Sequence, residues 1–170
     1  KLATKAPNST LSKRVAVTDI KGKANAWNMF VHHLSDPNAD FLISMDCDIE
    51  FLQSNVISRL VESLQDNPKA YISRPICRKS TELHQSKSLI DRLALSATRQ
   101  QQATKSYVPL PGAIYCGWAN AIRSVWQPLG MLGDDGHLRD MIVTENWRCP
   151  RDRKDERIIL VDDVEIVFEA

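Results

Sequence analysis

The chain has 170 residues, with 22 Lys and Arg against 21 Asp and Glu and a hydrophobic content of 43%. That length suits one domain with a substantial core, and a formal net charge of +1 gives no electrostatic reason to expect nucleic acid as a partner. No apolar run approaches the roughly 20 residues that cross a bilayer, and the polar, basic start carries no signal-peptide pattern. The cysteines at 47, 77, 116 and 149 form no CxxC and no Cys/His pair at zinc spacing. Unpaired thiols in a reduced compartment are therefore expected, in the cytoplasm or at the cytoplasmic face of a membrane.

In chain order, residues 1–13 are expected to be a flexible lead-in. Residues 14–19 (RVAVTD) alternate and predict a strand. Lys21-Gly22-Lys23 breaks it, and residues 24–34 predict a helix with Ala24, Trp27, Phe30, Val31 and Leu34 on one face. After the Asp36-Pro37-Asn38 turn, residues 41–45 (FLISM) read as a strand buried on both faces. Residues 55–64 predict an amphipathic helix, stopped by Asp66-Asn67-Pro68, and residues 70–74 a further strand before Pro75. This alternation implies crossover helices over an α/β sheet.

Ser80-Thr81 can cap a long helix running toward Lys105. Pro109 and Pro111 bracket a loop, residues 112–116 suggest a short strand, and residues 119–129 a strand followed by a helical turn. A helix is expected over 134–144 with Leu138, Met141 and Ile142 inward, then a charged loop over 148–157 and strands at 158–161 and 164–168. No repeat or linker divides the chain, so a single domain over 1–170 is expected.

The chemistry begins where the strand at 41–45 ends, in Asp46-Cys47-Asp48. In extended chain, residues i and i+2 project to the same side, so two carboxylates can meet one hard cation. Open α/β sheets bind ligands at the carboxyl ends of their strands. Mg²⁺ or Mn²⁺ suits such a pair, holding substrate phosphates through one or two carboxylates. A lone DxD is also common as a solvated acidic turn. A haloacid-dehalogenase-like phosphatase is the alternative from another class, but Ile49-Glu50 stand where that family has a hydroxyl residue and its neighbours.

Three further segments accompany DxD: Gly22-Lys23-Ala24-Asn25-Ala26-Trp27-Asn28 upstream, then Gly117-Trp118-Ala119-Asn120-Ala121-Ile122-Arg123, then Asp134-Asp135-Gly136-His137-Leu138. In this order they resemble family 2 glycosyltransferases: a GKxxAxN segment, DxD, a glycine-led segment ending in Arg, and an EDxxL-like motif. The resemblance spans about 15–168 and implies an α/β fold of the GT-A (Rossmann-like) kind. That fold is a three-layer sandwich on a mixed, mostly parallel sheet, with its N-terminal strand–helix portion missing from this chain. This chain would then be part of a longer protein.

The resemblance also implies roles. Asp46 would lie near the donor ribose or the metal, and Asp48 would be the more direct ligand of Mg²⁺ or Mn²⁺. Asp135 would be the general base, with Asp134 where the family usually has Glu. Lys23 and Asn28 would border the donor, and Gly117, Trp118 and Arg123 the acceptor side. The implied reaction moves a sugar from a nucleoside-diphosphate sugar to an acceptor hydroxyl, saccharide or lipid-linked, with inversion. A processive QxxRW motif is absent from the sequence. A degenerate, non-catalytic sugar-nucleotide-binding domain is the non-enzyme alternative. Quieter readings stand beside these roles: the two aspartates as a helix cap, Trp118 and Trp147 as packing, His137 as a half-buried polar residue.

Overall fold

The computed structural model describes residues 14–80, 109–150 and 156–169. The lead-in expected over 1–13 and nearly all of the helix expected over 80–105 lie outside the described residues.

Helix α1 (Lys23–Met29) forms where Ala24 and Trp27 recur at helical spacing, and it continues into a π-helical turn over Phe30–Leu34. Ser35 ends it by adopting an extended backbone and donating its hydroxyl to the Val31 carbonyl at 2.8 Å. The strand expected at 14–19 is absent: residues 14–18 have no regular structure, with Val15 and Val17 at 93% and 91% exposure. Alternation there finds no ladder to join, and a strand without a ladder leaves its backbone groups to water.

Among the described residues five strands form one sheet: β1 (Phe41–Met45), β2 (Ile49–Phe51), β3 (Ile72–Lys79), β4 (Ile114–Trp118) and β5 (Ile158–Phe168). Their spatial order is β1-β4-β3-β5-β2. Among the described residues β3 and β5 alone pair in parallel; β1/β4, β3/β4 and β2/β5 are antiparallel. The expectation of a GT-A-like, mostly parallel Rossmann-like sandwich is therefore overturned. The chain is a small mixed α/β domain. Helical crossovers were read from strand–helix alternation, but alternation does not choose hydrogen-bonding partners, and β4 enters antiparallel between β1 and β3.

The sheet also curls strongly. β1 and β2 occupy its two edges, yet only residues 46–48 connect them. Four steps of extended chain reach about 14 Å, whereas four inter-strand spacings of a flat sheet span about 19 Å. The edges must turn toward each other, and the Asp46-Cys47-Asp48 segment bridges them. This also explains why β1 is not buried on both faces as expected. It is an edge strand, and Met45 is 58% exposed.

Helices cover both faces of the sheet. Amphipathic α2 (Val56–Asp66) turns Val56, Leu60 and Leu64 into a core with Ile114, Val164 and Ile166, anchored where Ser73 donates to the Leu60 carbonyl. The other face packs α1, α3 (Ala119–Arg123) and α4 (Asp134–Val143) through Trp27, Val31, Ile122, Leu138 and Ile142. Residues 119–123 are thus helix rather than strand. The two strands expected at 158–161 and 164–168 are one, with a register irregularity against Pro75/Ile76.

Arg157 fastens the α4 face to the sheet. Its guanidinium pairs with Glu145, donates to the Val143 carbonyl at 3.0 Å and lies 5.3 Å from the Tyr71 ring centre. Its own carbonyl accepts the Tyr71 and Ile72 amides. It holds an unusual left-handed run: Glu145, Asn146 and Trp147 have φ of 48°, 56° and 67°, a conformation costing roughly 1–3 kcal/mol per residue.

Two glycines test this packing with opposite signs. A Cβ at Gly117 would stand 2.8 Å from Ile122 Cδ1 and 3.1 Å from the Tyr71 carbonyl, while one at Gly136 meets nothing. Gly117→Ala should destabilise by about 1–3 kcal/mol through overpacking. Gly136→Ala, in a helix with open space beside it, should stabilise by about 0.5–1 kcal/mol. Urea midpoints at constant m-value check both.

Candidate functional site

β1 delivers Asp46 to the end of the sheet, where its amide donates to the Ala113 carbonyl at 2.8 Å. That bond places Asp46 beside the loop that enters β4. Gly112, the residue before Ala113, lies directly under the Asp135 carboxylate: a Cβ there would stand 2.7 Å from Asp135 Cγ and closer still to both its oxygens. A side chain at this position would force the Asp135 carboxylate aside. Lys23, the first residue of α1, completes the group with its ammonium 3.5 Å from Asp46 Oδ1.

The charges act on one another. Burial raises the pKa of Asp135 above 3.8; Lys23 opposes this, and the neighbouring Asp134 and Asp46 carboxylates reinforce it. Burial draws the Lys23 pKa down, but Asp135, Asp46 and Asp134 outweigh it and hold the ammonium above 10.5. Tyr115 is also pushed up, chiefly by burial, while Asp135 and Asp134 add to the shift. Its hydroxyl accepts a hydrogen bond from Trp27 Nε1. A cleft of about 300 Å³ opens beside Lys23 and Asp46, walled by Trp27, Phe30, Ser44 and Met45.

The structure thus brings Lys23, Asp46, Asp134 and Asp135 together from three distant stretches of sequence. Asp48 is exposed on the turn between β1 and β2, because residues 47–48 form a turn and not extended chain. Among the described residues no group of three or more His, Cys, Asp or Glu is arranged to hold a metal ion. Any cation here would need its remaining ligands from water or a bound phosphate. The exposed Asp48 and the half-exposed Asp46 are open to that, since Mg²⁺ takes few protein carboxylates.

Other expected site residues serve the framework. Asn28 is buried: its amide donates to the Gln127 carbonyl at 2.8 Å and its carbonyl accepts the Gln127 amide at 2.9 Å. Gln127 in turn donates to the Asp134 carbonyl at 3.1 Å, so Asn28 sets where α4 begins. Gly117 makes room for Ile122. Trp118 packs on Phe41 with ring centres 4.4 Å apart. Arg123 donates to Ser35 and to the Asp36 and Pro37 carbonyls. His137 contacts the Trp126 carbonyl. No side-chain cap bond closes the start of α4, although Asp134 Oδ1 accepts the Asp135 amide.

Sequence reading missed Gly112, Trp27 and Tyr115 as parts of this site. The Leu110-Pro111-Gly112 loop ahead of a buried strand was the available signal for the first. No protein-family model matches the chain, and no curated protein matches its sequence. The resemblance to family 2 glycosyltransferases rests on the four quoted motifs alone. All four cysteines are free thiols, and among the described residues no helix is long and apolar enough to cross a membrane.

Because the folded pKa of Asp135 is raised, the folded chain holds this proton more tightly than the unfolded one. Stability therefore falls as pH rises from 3.8 through the folded pKa, and the loss persists above it. Asp135→Asn removes that loss. The variant should melt at a higher temperature than wild type at pH 7, with the difference shrinking toward pH 3.8. Paired melting curves across this range check it.

Proposed function

We propose that this chain is the core of a metal-assisted, inverting glycosyltransferase that transfers a sugar from a nucleoside-diphosphate sugar to an acceptor hydroxyl. The observation that carries the reading is the electrostatic convergence of a half-buried carboxylate, Asp135, with Lys23 and Asp46, the last two of which line an aromatic-walled cleft. A raised pKa makes Asp135 a stronger base than an exposed aspartate.

In this reading Asp135 takes the acceptor proton as the new C–O bond forms at the anomeric carbon. The bond from that carbon to the phosphate oxygen breaks, and the nucleoside diphosphate leaves with the electron pair. Lys23 offsets the charge that collects on the leaving group. Asp46 and Asp48, with the donor diphosphate, would hold Mg²⁺ or Mn²⁺, which supplies further positive charge there. With one base and no protein nucleophile, a single displacement inverts the anomeric centre. Asp134 and Asn28 position α4, and through it Asp135.

Release of nucleoside diphosphate from a panel of donors, with Mn²⁺ and saccharide or lipid-linked acceptors, tests the reading. Asp135→Asn should keep donor binding and fold while transfer falls by about 10²–10⁴-fold. Gly112→Ala should turn the Asp135 side chain away, lowering transfer with little change in melting temperature, since the group displaced is the tip of a flexible side chain. Full transfer in a well-folded Asp135→Asn protein would remove the base from this position. Hydrolysis of an aryl phosphate that is lost in Asp46→Asn would replace the transferase reading with the phosphatase one.

A further inference from the structure

Between α3 and α4 the chain runs from Ser124 to Gly133 without a charged side chain. Within that stretch Trp126, Leu129, Met131 and Leu132 are all exposed, Leu132 at 99%, Leu129 at 60% and Trp126 at 57%. Single apolar residues on a surface need no explanation, but a contiguous group marks a contact with something apolar.

The loop has a defined shape. The Met131 amide donates to the Pro128 carbonyl at 3.3 Å and Gly130 has a φ of 76°, as a type II turn requires, which sets Leu129 at its corner. A second positive φ, 87° at Gly133, leads the chain into α4. A Cβ at Gly130 or Gly133 would meet no atom within 4 Å, so open space lies beside the backbone on both sides of Met131-Leu132. The base, in contrast, is fixed. The Val125 carbonyl lies 2.9 Å from His32 Nε2, the Trp126 carbonyl 3.2 Å from His137 Nε2, and Gln127 is bonded to Asn28 and to the Asp134 carbonyl.

The groups at the base are aromatic and cationic. The Trp126 indole stacks on His32 with ring centres 4.0 Å apart and planes 5° from parallel, and His33 meets its edge at 6.2 Å. Arg123, three residues earlier, donates to Ser35 Oγ and to the Asp36 and Pro37 carbonyls. It has no ion pair among the described residues, so its charge is not neutralised there. The carboxylates that follow the loop, Asp134 and Asp135, share the Lys23 charge.

A convex apolar tip gives a partner's helix or strand no groove to lie in. A bilayer needs none. It takes aliphatic side chains among its acyl chains, holds Trp at headgroup level and attracts cations to anionic lipid. Leu129, Met131 and Leu132 at the tip, Trp126 at the base and Arg123 next to it supply those three contacts. We propose that the loop over 126–132 docks this protein on an anionic lipid bilayer, inserting its tip without spanning the membrane. The docking stands apart from the function proposed above. Its consequence for the acceptor rests on that reading: α4 starts two residues after Leu132, so docking brings Asp134 and Asp135 to the membrane surface and favours a lipid-linked acceptor.

Co-sedimentation of the full chain with vesicles of mixed phosphatidylcholine and phosphatidylglycerol tests the docking without requiring transfer, so either proposal can fail alone. Saturable binding is expected, about fivefold weaker on phosphatidylcholine alone, the factor that one arginine contributes near an anionic surface. Leu129→Ser and Leu132→Ser together change only exposed side chains. They should leave the melting temperature unchanged and weaken binding by about tenfold or more. Tryptophan emission should shift to the blue on vesicles, and that shift should vanish in Trp126→Phe and persist in Trp147→Phe. Binding to neither vesicle would overturn the proposal, as would full binding by the double variant or a blue shift that survives Trp126→Phe. Self-association in solution that the double variant abolishes, without vesicle binding, would assign the loop to a contact between copies instead.

Discussion

Arg157 is the point through which the two halves of this molecule hold each other. Its side chain is almost fully buried, so its charge must be met within the protein. The Glu145 carboxylate, the last carbonyls of α4 and the face of Tyr71 meet it. Its backbone carbonyl meanwhile takes the two amides that open β3. One residue thus ends α4, fixes the left-handed segment after it and starts the parallel β3/β5 pairing. With the C-terminal end of α4 pinned in this way, the N-terminal end of the same helix has a defined place to fall, and that place is over Gly112.

The candidate site follows from what that geometry makes unfavourable. A lysine at the first position of a helix opposes the backbone dipole, and a half-buried aspartate beside two other carboxylates is disfavoured when ionised. Each relieves the other: Lys23 is stabilised by the three acids, and Asp135 is restrained from rising further by Lys23. Such local conflicts resolved only by a remote partner are typical of functional sites. A network of hydrogen bonds lies beneath them. Asn28, Gln127 and Asp134 link α1 to the start of α4, and Trp27 and Tyr115 link α1 to β4.

The curled sheet supplies the remaining constraint. Three residues join opposite edges, so Asp46 and Asp48 cannot both follow the pleat of one strand. Asp46 stays with β1 and turns to Lys23, while Asp48 belongs to the turn that starts β2. The same curvature leaves β1 at an edge with a half-covered face, which opens the cleft beside Trp27 and Phe30.

Periodicity alone located α1, α2 and α4 within a few residues, because a helix satisfies its own backbone and needs only one apolar face to be read. The strand at 41–45 was legible for the same reason of local pattern, the one at 114–118 was read two residues early, and the single strand at 158–168 was read as two. Residues 14–19 carried an equally good pattern and formed no strand, since a strand exists only when another backbone accepts its hydrogen bonds. Direction and order of pairing, and with them the mixed sheet in place of a mostly parallel one, were decided by contacts between segments far apart in sequence. So was the site. The acidic residues could be picked out one motif at a time, but their meeting depended on the absence of a single Cβ at Gly112, which no motif announces. What the sequence determined was which residues carry charge and which faces seek a core; which charges face each other was left to the tertiary structure, because distance through space is set by packing and not by spacing along the chain.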